Sequence, residues 1–305
     1  MNVVLQGLDQ SKSYRVYLTI STELVEKARK IHDASPLATA GLGRVLTGAG
    51  LMGLLLKNKD EKLTVQFKGE GPAKQILATA YGDGRVKGYI ANPHVDLPLR
   101  EGHKLDVGGS LGIGQLTVIK DLGLKEPYVG KIDLVTGEIA DDLTAYYYIS
   151  EQQNSSIALG VKIDIECSVK CAGGMIIQML PDFEEAAVDA LEVMLDNLPP
   201  LTTLIDEIME SGQMLSDKGM VDALKERIFG EMPQEYQLET LDYSEIQWEC
   251  DCSKEKMAKA LMTIGVKDLT EIIEEDGEAE LVCQFCQSKY KFTKEELEEL
   301  LEAIK

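Results

Sequence analysis

Histidine is scarce in this chain: there are three in 305 residues, at positions 32, 94 and 103, with no motif around any of them. A hydrolase triad or a histidine metal site therefore has no support. The nucleotide and nucleophile loops GxxxxGK[ST] and GxSxG are missing as well. Gly112-Ile113-Gly114-Gln115-Leu116-Thr117 begins as a dinucleotide fingerprint would, but lacks the third glycine. No basic-then-apolar stretch opens the chain, since Met1-Asn2-Val3-Val4-Leu5-Gln6 runs straight into polar residues. No signal peptide is expected, and the chain is expected to be cytoplasmic. Apolar runs of bilayer length are limited to residues 36–56, which carry Arg44 in the middle, five glycines and no Trp or Tyr at either end. That stretch reads as a buried small-residue helix, and no membrane partner is expected.

Positive charge is short in one part of the chain. Residues 1–181 hold twenty acidic and twenty basic side chains and sum to zero; residues 182–249 hold eighteen against three, and residues 250–305 fourteen against eight. The net −21 thus divides as 0, −15 and −6. A nucleic-acid partner needs a basic footprint, so the charge distribution weighs against one and none is expected. The segment 182–249 repels itself, so its folded state is expected to be marginal.

Cysteine is sparse too, at six, but four of the six fall in two tight pairs: Cys250-Asp251-Cys252 and Cys283-Gln284-Phe285-Cys286. Two close pairs can wrap a tetrahedral Zn²⁺, each supplying two corners while the intervening chain folds back. The expectation is one zinc per chain on Cys250, Cys252, Cys283 and Cys286, with no histidine ligand. Chance clustering and a pair of structural disulfides are the alternatives; a reducing compartment weighs against the second. Four sulfur ligands close the coordination sphere and leave no open position for a substrate, so no catalytic residues and no enzyme are expected. Cys167 and Cys171 lie in a strand-like run, where i, i+4 residues share a face roughly 13 Å apart. They read as buried, inert thiols.

Along the chain, residues 14–20 alternate and read as a strand, followed by a short helix near Glu23–His32. Ser35-Pro36 is a helix start, opening the glycine-rich helix that runs to about Leu56. Strands are expected at 63–68, 75–81, 85–91, 115–120 and 128–134, a helix at 141–152, and strands at 157–165 and 175–180 with Gly173-Gly174 between them. Helical periodicity takes over from Pro181, at 183–195, 201–210 and 220–229. Seven of the eleven methionines lie between Met175 and Met232; they suit either a repacking client surface or ordinary core filling. After Cys252, Ser253 can cap a helix to about Ile264, a second short helix follows, and residues 279–292 read as a hairpin with the CxxC at its turn. Thr293 to Glu296 forms a capping box for a last helix. The reading is an α+β chain: residues 1–181 as a mainly antiparallel sheet with helices, 182–240 as an acidic helical linker, and 241–305 as a small zinc-binding module. Such a module is near the lower size limit for folding on apolar burial alone.

With these pieces placed, the chain resembles the heat shock protein 33 family of redox-regulated holdase chaperones. The resemblance spans nearly the whole chain and rests on the CxC and CxxC pairs, on Gly69-Glu70-Gly71-Pro72, on Ser150-Glu151-Gln152, and on Ala172-Gly173-Gly174 followed by Gln178 and Leu180-Pro181. One departure is Cys171, where alanine is expected. The resemblance implies an ATP-independent chaperone core at 1–181, a metastable linker and a redox switch at the cysteines. It implies unfolding proteins as clients, and a homodimer as the candidate assembly of the oxidised form. In this reading the reduced, zinc-bound chain is inactive. Oxidation pairs near neighbours, Cys250 with Cys252 and Cys283 with Cys286, because each pair already touches one metal; the strained CxC ring is easily reduced again. Zinc loss then unfolds the module and the linker beside it. The competing class is a constitutive protein-binding adaptor whose zinc is purely structural.

Overall fold

The computed structural model describes residues 2–212 and 214–304. The chain divides into two compact units, Met1–Trp248 and Glu249–Lys305. In the larger unit β1 (Val3–Asp9) and β2 (Tyr14–Ile20) form a hairpin, followed by α1 (Thr22–His32) and α2 (Pro36–Gly53). A meander of β3 (Lys62–Gly69), β4 (Gln75–Tyr81) and β5 (Arg85–Ile90) leads to a short α3 (Val107–Leu111), then β6 (Gly114–Asp121) and β7 (Tyr128–Asp133). After α4 (Ala140–Tyr146) come β8 (Ser155–Ile163) and β9 (Val169–Met179). Three helices follow, α5 (Glu185–Asp196), α6 (Leu201–Glu210) and α7 (Asp217–Phe229), and the chain returns as β10 (Leu238–Glu245) and β11 (Gln247–Trp248).

Two sheets result, with orders β10-β1-β2-β9-β8 and β11-β5-β4-β3-β6-β7. All described pairings are antiparallel except the short β11–β5 pair. Helix α2 packs in the main core against residues of both sheets, such as Val4 and Ile176 of the first and Val65 and Ile76 of the second. Ser35 caps it, its hydroxyl accepting the Ala38 N–H at 3.2 Å, with Pro36 at the first position. The helix is buried over nearly its whole length, and its glycines are where neighbours come closest. A Cβ on Gly43 would stand 2.5 Å from Val25 Cγ1 and 2.9 Å from Val161 Cγ2. Among the described residues no helix is long and apolar enough to cross a membrane.

The five-stranded sheet is apolar on both faces, as the period of two makes possible. Val4, Tyr17 and Ile176 face α2. Their neighbours Val3, Leu5, Val16, Leu18, Met175 and Ile177 face the other way, into a second core shared with Leu191 of α5, Leu204 and Ile205 of α6, and Leu224 and Ile228 of α7. The three helices after Pro181 therefore lie on the sheet through an apolar stripe each.

Several expectations are corrected. Gly173-Gly174 does not divide two strands: β9 runs straight through it. A Cβ on Gly173 would meet Ile205 Cδ1 at 2.5 Å and Thr19 O at 2.6 Å, so the glycine serves the approach of α6. Cys167 and Cys171 do not share a strand face. Cys167 is exposed, at φ +61° in the β8–β9 turn, whereas Cys171 is fully buried on β9. The helix expected at 141–152 is α4 followed by a π-turn over Tyr147–Glu151. β1 and β10 were not expected, and β10 with β11 places residues 238–248 in the sheets of the larger unit.

The fit around α2 makes one test simple. Gly43→Val should destabilise the reduced protein by about 1–3 kcal/mol through overpacking against Val25 and Val161. A lowered urea midpoint with an unchanged slope is the expected result; an unchanged midpoint would mean that the layers around α2 are not close-packed.

Candidate metal centre

The smaller unit is built from α8 (Lys254–Met262), α9 (Val266–Glu275), the hairpin β12 (Glu278–Val282) and β13 (Lys289–Thr293), and α10 (Lys294–Ile304). Its core is small: Leu261, Leu269, Ile273, Phe292, Leu297 and Leu301 are the buried apolar residues. Side-chain caps start two of its three helices. The Ser253 hydroxyl accepts the Lys256 N–H at 3.3 Å and starts α8 directly after the CxC pair. At α10 the capping box is formed, Thr293 N–H donating to Glu296 Oε2 at 3.0 Å and Glu296 N–H to Thr293 Oγ1 at 3.4 Å. Lys256 Nζ reaches back to Asp251, between the two cysteines, at 2.5 Å.

At the hairpin turn Cys283 N–H donates to Ser288 O at 2.9 Å and Gln287 N–H to Cys283 O at 2.8 Å. This closes the loop and turns both sulfurs of the CxxC toward the CxC. The four Sγ atoms of Cys250, Cys252, Cys283 and Cys286 all lie within 4.8 Å of one another. Cys250 Sγ is 3.7 Å from Cys283 Sγ, and Cys252 Sγ is 3.3 Å from Cys286 Sγ. Tetrahedral zinc with Zn–S bonds of about 2.3 Å requires sulfurs roughly 3.8 Å apart, so the donor set and its spacing fit that ion.

Burial raises the Cys250 thiol, and the sulfurs around it add to that; burial also raises Cys252, with the Tyr290 hydroxyl pulling the other way. Burial pushes Cys286 up too, but the Ser288 hydroxyl and backbone N–H outweigh it and bring it down to about 7. A cation binding here displaces thiol protons, so its affinity falls with falling pH. Sequence reasoning found the four cysteines and missed their hydroxyl partners. Tyr290 Oη lies 3.0 Å from Cys252 Sγ, and Ser288 Oγ 3.2 Å from Cys286 Sγ.

The other two cysteines are not part of this group. Cys171 Sγ donates to Thr202 O of α6 at 3.3 Å, and burial, then Asp206, pushes its thiol up to about 11. It sits under α6 beside a clasp in which a buried carboxylate meets two partly exposed lysines. Asp206 accepts Lys162 Nζ at 2.6 Å and Lys170 Nζ at 2.9 Å, and Lys170 also reaches Glu210 at 2.7 Å.

The comparisons with known proteins agree over almost the whole length. A family model described as Hsp33 protein matches residues 2–293. A 33 kDa chaperonin of Clostridium perfringens is 47% identical over 301 residues, covering 98% of this chain and 90% of the relative. One from Alkaliphilus oremlandii is 45% identical over 304 residues, covering 99% and 97%. Among solved structures, the 33 kDa chaperonin (heat shock protein 33 homolog) of Thermotoga maritima superposes with a TM-score of 0.85 at 39% identity, over 99% of this chain and 98% of that one.

The four-sulfur geometry predicts one zinc equivalent in the reduced, purified protein. Cys283→Ser removes the most buried of the four donors and should leave less than about a fifth of it, since three protein ligands make an open and weaker site. Full zinc retention in that variant, measured by elemental analysis, would overturn the ligand assignment.

Proposed function

The chain belongs to the Hsp33 family, and on that premise we propose that it is an ATP-independent holdase, silent when reduced and zinc-bound, and switched on by oxidation of Cys250, Cys252, Cys283 and Cys286. The observation that carries this reading is the cluster of four sulfurs within 4.8 Å in a unit with a small core. Bound there, zinc would supply folding free energy on the order of 10 kcal/mol and hold the sulfurs as thiolates. A whole domain is stable by only about 5–15 kcal/mol, so this module depends on its four ligands staying reduced.

A thiolate sulfur attacks a peroxide oxygen, the S–O bond forms as the O–O bond breaks, and hydroxide leaves, so the sulfur becomes a sulfenic acid. A second thiolate attacks that sulfur; the S–S bond forms, the S–O bond breaks and another hydroxide leaves. All four sulfurs are mutual neighbours, so the folded cluster does not select partners. The proposed pairs are Cys250 with Cys252 and Cys283 with Cys286, because once the module loosens the shortest loops close at the least entropic cost. With its ligands used up, the module must stand on six buried apolar residues.

The consequence for the rest of the chain runs along the backbone. Cys250 lies two residues after Trp248, the last residue of β11, and β10 lies just before that strand as the edge partner of β1. Tyr236 and Leu238, at the start of this return, pack in the same core as α7. Fraying from Cys250 backward removes that support from a segment of net charge −15. We read residues 182–240 as the metastable linker, 1–181 as the chaperone core and the cysteine-bearing C-terminal part as the redox switch. Released, the linker uncovers the outer face of the five-stranded sheet, an apolar surface suited to unfolding clients. The same face offers the oxidised chain a route to a homodimer.

A heat-unfolding client protein tests the reading directly. Light scattering should be suppressed by the peroxide-treated protein at near-stoichiometric ratio and not by the reduced one; equal behaviour of both forms would leave only a constitutive adaptor. A variant separates linker from switch. Leu224 is fully buried between α7 and the sheet. Leu224→Asp removes about 2–4 kcal/mol of packing, and should make the reduced, zinc-loaded protein active. Full inactivity of that variant without oxidant would place the client surface elsewhere.

A further inference from the structure

Glu151 and Gln178, two of the residues that carry the family resemblance, have no part in the cysteine switch, and both line a cavity of about 170 Å³ in the larger unit. Arg15 of β2 and Gln178 of β9 reach it from one sheet and Lys120 of β6 from the other. Met52, Leu55 and Leu56, at the end of α2 and just beyond, give it an apolar wall. The π-turn after α4 brings Tyr147 and Glu151 to the same cavity. Its charges do not cancel. Lys120 Nζ pairs with Glu151 Oε1 at 2.7 Å, and the Tyr146 hydroxyl donates to that carboxylate as well. Arg15 has no carboxylate partner among the described residues. Its Nε and Nη2 both donate to the neutral Gln178 Oε1, at 3.1 and 2.8 Å, which leaves three of the five guanidinium N–H groups for another acceptor. The last carbonyls of α2 do not take them up: Met52 O and Gly53 O accept the Leu55 and Leu56 N–H groups at 3.2 and 2.9 Å. Tyr147 is only 5% exposed, yet its hydroxyl has no partner among the described residues. Burial raises that phenol, with Glu151 adding and Arg15 opposing, so it stays a neutral O–H donor at ordinary pH.

We propose that this cavity is a binding site for a monocarboxylate with a short apolar tail, its carboxylate held by Arg15 and Tyr147. The lining has one positive charge in excess, Arg15 and Lys120 against Glu151, and a single carboxylate neutralises it. The planar guanidinium fork matches a carboxylate in shape as well as charge. Met52, Leu55 and Leu56 cover the tail, whereas a phosphate would set its remaining oxygens against that apolar wall. Size narrows the class further. A cavity of about 150 Å³ takes a benzene-sized molecule, so this one admits about six to eight non-hydrogen atoms, the size of a short-chain acid. Two sources share this chemistry: a free short-chain acid, and the C-terminal carboxylate of a polypeptide that ends in an apolar residue. All the lining residues belong to the larger unit, so binding needs neither zinc nor a disulfide.

Ligand-observed NMR titrations on the full-length, reduced protein test this with four probes: isocaproate, its neutral analogue isocaproamide, N-acetyl-leucine and inorganic phosphate. The expected result is saturable binding of isocaproate in the millimolar range or tighter, with isocaproamide and phosphate at least about tenfold weaker. Arg15→Gln should weaken isocaproate at least about tenfold, and Tyr147→Phe, which keeps the buried ring and loses only the hydroxyl, about three- to tenfold. N-acetyl-leucine carries the isocaproate skeleton with an acetylamino group added. Tighter binding of it than of isocaproate assigns the site to polypeptide C-termini, and weaker or equal binding assigns it to the free acid. Saturation by neither acid overturns the proposal. So does equal binding of isocaproamide or phosphate, and so does an affinity for isocaproate that is unchanged in Tyr147→Phe.

Discussion

The structure depends on a sheet that is apolar on both sides. Strands β1, β2 and β9 offer one row of side chains to α2 and the opposite row to α5, α6 and α7. A strand with two buried faces cannot be left half-covered in water without exposing a contiguous apolar surface, and such surfaces bind other chains. The glycine-rich helix α2 packs between close-approaching layers and covers one face. The other face is covered by the most acidic part of the protein, where apolar burial is opposed by like charge.

That opposition is local and can be followed to particular residues. Helix α6 is held by Leu204 and Ile205 on the sheet and by Asp206 between Lys162 and Lys170. Burial alone would raise the Asp206 carboxyl; the two ammonium groups outweigh it and hold it below the usual carboxylate range. A depressed carboxyl contributes its stability above its unfolded-state value, near pH 4, and loses it only as pH falls through the still lower folded value. The clasp is therefore complete at neutral pH, and protonation is not what releases this helix under mild conditions. On the reading proposed, the trigger lies in the four sulfurs instead, and the return strands β10 and β11 carry it to the helices.

Much of this was legible in the sequence, for reasons specific to each element. The four cysteines stood out because spacing alone restricts them. Helices α5 to α7 were found to within a few residues because their apolar positions keep one period. The capping box at Thr293 and the Ser35-Pro36 start are local chemistry, and both formed as expected. What escaped depended on tertiary partners. β1 begins near the N-terminus with no turn before it, and β10 is charged and exposed at its edge, so neither announces itself without the other. Gly173-Gly174 reads locally as a break, but is a strand interior because α6 lies on it. From sequence Cys167 and Cys171 read as one strand because nothing in their own residues reveals the turn at 164–168. Tyr290 had no signal except its place on a strand beyond the CxxC.

The central claim is that an acidic, helical cover on an apolar sheet face is released when the four-cysteine module is oxidised. Amide hydrogen exchange on reduced and peroxide-treated protein tests it most directly, read peptide by peptide under mild heat. The account predicts that residues 182–240 lose their protection on oxidation, while α2 and the strands of residues 1–181 keep theirs. Equal protection of residues 182–240 in both states, in samples whose chaperone activity has nevertheless switched on, would contradict it.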